Sequence, residues 1–233
     1  MRNGSEPAEP KWPRLLSLAV HEFRTPISVV AGYIRMLLKN SAGPLNDKQR
    51  RLLLEAEKST ARLAALVDEM SDLAKLEAGG VSMHSRRVDL GAVLEQTIAS
   101  MPPLQDREVT IRLENDAPGA AVKGDAERLR SALSSILLAL RRELVASSLL
   151  VVRLRRTHED GGPALRVAVA GDEQIDTIDR SDGTELGTFD EWRGGCGLGP
   201  AVARRILGAH QGRVWSPARD PRAAAVLMLP EED

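Results

Sequence analysis

Between residues 14 and 40 the apolar side chains recur on a three-four rhythm: Leu16, Val20, Phe23, Ile27, Val30, Ile34 and Leu37. Such a stripe of a and d positions predicts one long helix packed in a bundle seam. Residues 41–47 break it with Gly43 and Pro44, both turn formers, and place Asn46 or Asp47 where the next helix needs an N-cap. A second stripe fills residues 47–78 through Leu53, Ala56, Thr60, Leu63, Val67, Met70 and Ala74. Leu52, Leu66 and Leu73 widen it, and Gly79 and Gly80 end it as C-terminal glycines do. The two segments predict an antiparallel helical hairpin. Two helices cover each other's stripes poorly, so a twofold dimer making a four-helix bundle is the expected way to bury both.

After Gly80 the rhythm mixes. Residues 88–101 predict a helix opening after Asp89 and stopped by Pro102 and Pro103. Residues 109–113, 149–155 and 165–170 alternate or run apolar as strands, with a turn at 159–163. A third long helix is expected over 125–144, with Leu129, Leu133, Ile136, Leu137 and Leu140 on one face. Residues 171–192 are polar and acidic and predict a long loop. A helix over 200–210 follows a glycine-rich turn, and 212–215 and 223–229 are expected to close a sheet. The fold class is thus an α-helical hairpin followed by an α/β two-layer sandwich, divided as a flexible tail over 1–12, a hairpin over 13–80 and a sandwich over 81–233.

Composition narrows the function classes. The 233 residues carry 32 Lys and Arg against 33 Asp and Glu, a net charge of −1 that gives no support for nucleic acid as the main partner. Aromatic residues are few (two Phe, one Tyr, three Trp), which argues against a stacking platform for single strands. One cysteine, Cys196, forbids an internal disulfide and a Cys-rich metal site. No metal-ligand spacing of His, Asp or Glu stands out. No apolar run of about 18 residues predicts a membrane span, and the polar N-terminus does not read as a secretory signal, so a cytoplasmic location is the expectation.

The chemistry concentrates on the first helix. His21 stands one residue past Val20 of the seam, at the edge of the bundle. Glu22 follows it, and Thr25 lies one turn on, on the same face. Pro26 removes a backbone donor inside the helix and is expected to distort it there. A neutral imidazole is a nucleophile, an adjacent carboxylate can hold its other ring proton, and a hydroxyl one turn away can position water.

His21-Glu22-Phe23-Arg24-Thr25-Pro26 resembles the H-box of two-component histidine kinases, whose dimerisation and phosphotransfer domain is a helical hairpin. The resemblance extends over about residues 13–215. It implies that His21 is the phospho-acceptor, that Glu22 is its acid/base neighbour, and that Thr25 orients water when a response-regulator partner is dephosphorylated. The sandwich likewise resembles the family's catalytic, ATP-binding domain. Gly195-Cys196-Gly197-Leu198-Gly199 matches its glycine-rich G2 box, and residues 189–193 match its aromatic box. ATP and Mg²⁺ are the cofactors, and Arg142, Asp172, Gly195, Gly197, Leu198 and Gly199 the nucleotide-binding positions, that this resemblance implies.

Two boxes depart from the family. Ser135 and Ala139 stand where the N-box has asparagines, and alanine offers no oxygen to a hard cation. The Asp-x-Gly-x-Gly of the G1 box is replaced by residues 170–175, where Asp172 substitutes only with a one-residue shift. Metal neutralisation is central to phosphoryl transfer from ATP, so impaired ATP binding is expected. Three readings follow. The first is a homodimeric phosphotransferase or phosphatase exchanging phosphoryl groups between His21 and a receiver aspartate. The others are an active ATP-dependent sensor kinase and a non-catalytic scaffold. The basic runs at Arg141, Arg142, Arg153, Arg155 and Arg156 predict a solvated face, and His210 a structural position.

Overall fold

The computed structural model describes residues 11–78, 83–104, 107–159, 162–182, 186–191, 193–217 and 221–232, the side chain of Lys11 excepted. The chain divides into two units, Met1–Val81 and Ser82–Asp233.

The first unit is the hairpin of α1 (Lys11–Leu38) and α2 (Asp47–Glu77). Helix α1 starts two residues inside the segment expected to be a tail. It runs through Pro26 unbroken; a proline has no N–H, so the Glu22 carbonyl lacks a donor from position i+4. Asn46 caps α2 in a reciprocal box: its side chain accepts from the Gln49 N–H at 2.9 Å, and Gln49 Oε1 accepts from the Asn46 N–H at 2.9 Å. Gly79 and Gly80 lie outside the described residues.

The hairpin buries only part of its apolar stripes. Val20, Ile34, Val67, Leu73 and Ala74 are buried, with Thr60 among them. Phe23, Val30 and Leu63, assigned to the seam by spacing, remain about half exposed at 52%, 48% and 52%. Trp12, Leu15, Leu18, Val29, Tyr33, Met36, Leu52 and Leu54 are exposed as well.

The second unit is built on a six-stranded mixed sheet in the order β2-β4-β5-β8-β7-β6. Its strands are β2 (Thr110–Asn115), β4 (Leu149–Glu159), β5 (Gly162–Gly171), β6 (Gly187–Thr188), β7 (Arg213–Ser216) and β8 (Ala225–Pro230). The β2–β4 pair is parallel and the others antiparallel. A separate ribbon pairs β1 (Arg86–Asp89) with β3 (Ala121–Gly124). Strand alternation sends Leu150, Val152, Leu154, Leu165, Val167, Val169 and Leu227, all buried, to one face. The helices α3 (Leu90–Ala99) and α6 (Gly199–Ala209) both pack against α4 (Ala126–Glu143).

Three expectations need correction. The helix expected from residue 88 begins at Leu90, because Val88 and Asp89 pair in β1; Asp89 then caps α3 by accepting the Ala92 N–H at 2.9 Å. Strands β1 and β3 are four residues each, too short to show alternation. The expected loop after β5 contains α5 (Ile175–Arg180) and β6. Helix α5 lies on the opposite sheet face, where Ile175 and Ile178 join Val151, Ala168, Ala170 and Val226 in one cluster. Arg153 holds Asp176 at 2.7 Å and Glu114 at 2.8 Å, and Arg155 holds Asp179 at 2.7 Å. Arg156, half exposed, pairs with Glu231 at 2.7 Å, so this basic run is tied to acids of its own unit.

His210 is structural. Buried beside the start of α4, its Nε2 accepts the Asp125 N–H at 3.0 Å while Nδ1 faces the Ile206 carbonyl at 2.7 Å. Gly124 allows this approach: a Cβ there would stand 2.3 Å from the ring. Burial holds the ring below its ordinary titration range, outweighing the Ile206 carbonyl and the Asp125 charge, which favour protonation. The unfolded ring titrates near 6.5 and the folded ring lower, so below 6.5 the unfolded chain binds the extra proton. This contribution is full above 6.5 and is lost as pH falls. Thermal melts should show the melting temperature dropping from about pH 7.5 to about pH 5.5, and His210→Leu, though less stable, should flatten that dependence.

Candidate functional site

Val20 anchors α1 in the hairpin at 5% exposure, so the next residue is turned outward. His21 accordingly presents a side chain 80% exposed, beside Glu22 at 72%. Nδ1 of His21 lies 3.6 Å from Glu22 Oε1, just beyond hydrogen-bond length. Nδ1 is thus the ring nitrogen recorded beside the carboxylate. Thr25 is exposed one turn later on the same face. The structure thus brings His21, Glu22 and Thr25 together. It adds a pair that spacing alone did not show: Arg24 donates from Nη2 to Asp68 Oδ1 of α2 at 2.8 Å.

The second candidate lies in the α/β unit. A short 3₁₀ turn (Arg193–Gly195) leads through Gly197 and Leu198 into α6, and Gly194, Gly195 and Gly197 adopt φ of 67°, 58° and 67°. Leu198 stands at the N-cap of α6 and Gly199 opens the helix. Arg142 Nη1 donates to the Gly195 carbonyl at 3.1 Å, so this predicted pair does meet. Asp172 does not join it; its Oδ1 accepts from Ser147 Oγ at 2.7 Å.

Two features of this turn escaped the sequence reading. The first is close packing: Gly194 sits directly on α4, where a Cβ would stand 2.7 Å from the Ala139 Cα and carbonyl oxygen. The second is Glu143. Its carboxylate accepts from the Gly194 N–H at 2.9 Å and from Arg193 Nε and Nη2 at 2.9 and 2.8 Å. Arg193 is buried, stacks over Phe189 at 5.2 Å and donates to the Ala224 and Arg222 carbonyls. A signal was available: a glutamate in the last turn of α4 opposes the helix dipole and needs a local reason. Trp192 lies outside the described residues. Among the described residues no group of His, Cys, Asp and Glu gathers as a metal site, and no helix is long and apolar enough to cross a membrane.

Residues 13–79 match the His Kinase A (phospho-acceptor) domain. The cell-division control histidine kinase PdhS of Brucella ovis is 26% identical over 226 residues, covering 90% of this chain and 22% of the relative. The circadian input-output histidine kinase CikA of Synechococcus elongatus is 26% identical over 265 residues, covering 94% of this chain and 33% of the relative. The crystal structure of full-length ShkA in complex with AMPPNP superposes with a TM-score of 0.66 at 24% identity, over 94% of this chain and 46% of that one, a likeness of fold. The chain spans about a fifth to a third of these curated relatives. The hairpin followed by a mixed-sheet α/β unit is the fold of the ShkA structure. This chain is a homologue of the two-component histidine kinases, and its first unit is a His Kinase A phospho-acceptor domain.

Proposed function

We propose that this chain is a homodimeric phosphotransfer protein in which His21 exchanges phosphoryl groups with the aspartate of a response-regulator receiver, while its α/β unit binds ATP weakly or not at all. The observation that carries the first half is the exposed His21 ring with Glu22 beside Nδ1. The Nε2 lone pair attacks the phosphorus of an aspartyl phosphate. The P–N bond forms, the P–O bond to the aspartate breaks, and Glu22 stabilises the positive charge that develops on the ring. Thr25, on the same face, positions water for removing phosphate from the receiver. The dimer reading rests on exposed apolar side chains. Among the described residues, all the exposed large ones except Val145 belong to the hairpin, a concentration that a partner copy would cover.

The second half rests on the donor set. A metal-bound triphosphate does not fit the residues present. Ala139 supplies no oxygen ligand, and the Gly194 backbone packs directly against it. Glu143 already takes the Gly194 N–H of the glycine turn and is itself held by the Arg193 guanidinium, so that backbone donor is occupied before any phosphate arrives. Asp172, the nearest match to the adenine-reading aspartate, is held by Ser147. Titration calorimetry of the full chain with ATP should detect no binding, with or without Mg²⁺. Micromolar affinity dependent on Mg²⁺ would overturn this half and restore an autokinase.

A further inference from the structure

Arg24 follows His21 by three residues, which sets both side chains on one face of α1 with Cβ atoms about 5–6 Å apart. In the structure Arg24 reaches away, to Asp68 on α2, through a single contact of 2.8 Å between side chains 56% and 68% exposed. The other arginines of α1 that flank this turn, Arg14 and Arg35, are two or more turns distant. We propose that Arg24 is a positioning residue that trades partners: it ties α1 to α2 through Asp68 while His21 is free, and turns to the phosphoryl oxygens once His21 carries the group. The inference rests on the phospho-acceptor reading of His21.

The exchange follows from charge and geometry. A phosphoryl group on His21 brings nearly two negative charges and three acceptor oxygens, against one charge on Asp68. The planar guanidinium fork matches such oxygens in a two-bond contact, whereas its present bond to Asp68 is a single one. An exposed pair of this kind is weakly held, so it opposes the swing little. Glu22 sits on the Nδ1 side and would repel the phosphoryl group, which makes a cation one turn away the natural counterpart.

The consequence is kinetic. In hydrolysis a water oxygen bonds to phosphorus, the P–N bond breaks, its electron pair returns to the imidazole, and the water protons pass to the ring and to solvent. Unlike a nucleoside diphosphate, the leaving imidazole departs neutral and has no developing charge for a cation to offset. The larger charge lies on the phosphoryl oxygens of the intact phosphohistidine, so a guanidinium resting on them holds that state and slows this step. Asp68→Asn, which frees Arg24, should lengthen the phosphohistidine half-life by about threefold or more, and Arg24→Gln should shorten it by a similar factor. The double variant should decay like Arg24→Gln alone.

The test labels the full chain chemically with phosphoramidate, whose P–N bond breaks with loss of ammonia as the phosphoryl group passes to His21. Decay is followed by phosphorus NMR, with circular dichroism confirming the fold of each variant. Half-lives shifted in opposite directions support the exchange, because loss of a merely structural tie would move both variants the same way. Equal half-lives, or shifts of one sign, overturn it while leaving the phospho-acceptor reading intact. No label on His21 overturns both.

Discussion

Replacing His21 with alanine is expected to abolish phosphoryl exchange with any receiver while leaving the helical content of the chain unchanged. The side chain is 80% exposed and follows the buried anchor Val20, so its removal opens no cavity. What disappears is the nucleophile, and without it transfer should fall by at least about 10³-fold, to the background of the assay. Glu22→Gln should act more mildly, since it keeps the ring and removes only the charge that steadies the imidazolium. Retention of transfer in the His21→Ala chain would move the phospho-acceptor elsewhere.

The largest effect on stability is expected at Gly194. Its φ of 67° belongs to the left-handed region, and an added Cβ would stand 2.7 Å from the backbone of Ala139. Both strain and overlap fall on backbone, which cannot swing aside. Gly194→Ala should therefore cost about 2–4 kcal/mol, a fall of roughly 5–15 °C in the melting temperature of the α/β unit. Gly195 supplies the control. It has φ of 58° but open space around the missing Cβ, so Gly195→Ala should cost only about 1 kcal/mol of backbone strain. Equal losses at the two positions, measured by calorimetric melts, would show that the close packing on Ala139 contributes nothing.

The elements legible in the sequence are those with long period. Helix α1, helix α2 and helix α4 each repeat an apolar stripe over many turns, and their caps, Asn46 and Asp125, stand where the stripes begin. Short elements carry no such signal. The β1–β3 ribbon pairs Arg87 with Lys123, a juxtaposition that like charges disfavour and that tertiary packing of Val88 and Val122 on the other face overrides. Helix α5 is six residues long, and its Asp176 and Asp179 read as loop acids until Arg153 and Arg155 are placed opposite them by the sheet. The candidate site divides in the same way. His21, Glu22 and Thr25 are adjacent on one helix and visible from spacing. Arg24 with Asp68, and Glu143 with Gly194, are separated by 44 and 51 residues and become neighbours only through packing.

The most direct test exposes the full chain to γ-labelled ATP with Mg²⁺ in one reaction and to labelled phosphoramidate in another, and maps the label by peptide. The proposed function requires phosphate on His21 from phosphoramidate and none from ATP. Label reaching His21 from ATP would contradict it, and so would phosphoramidate label that settles on another residue.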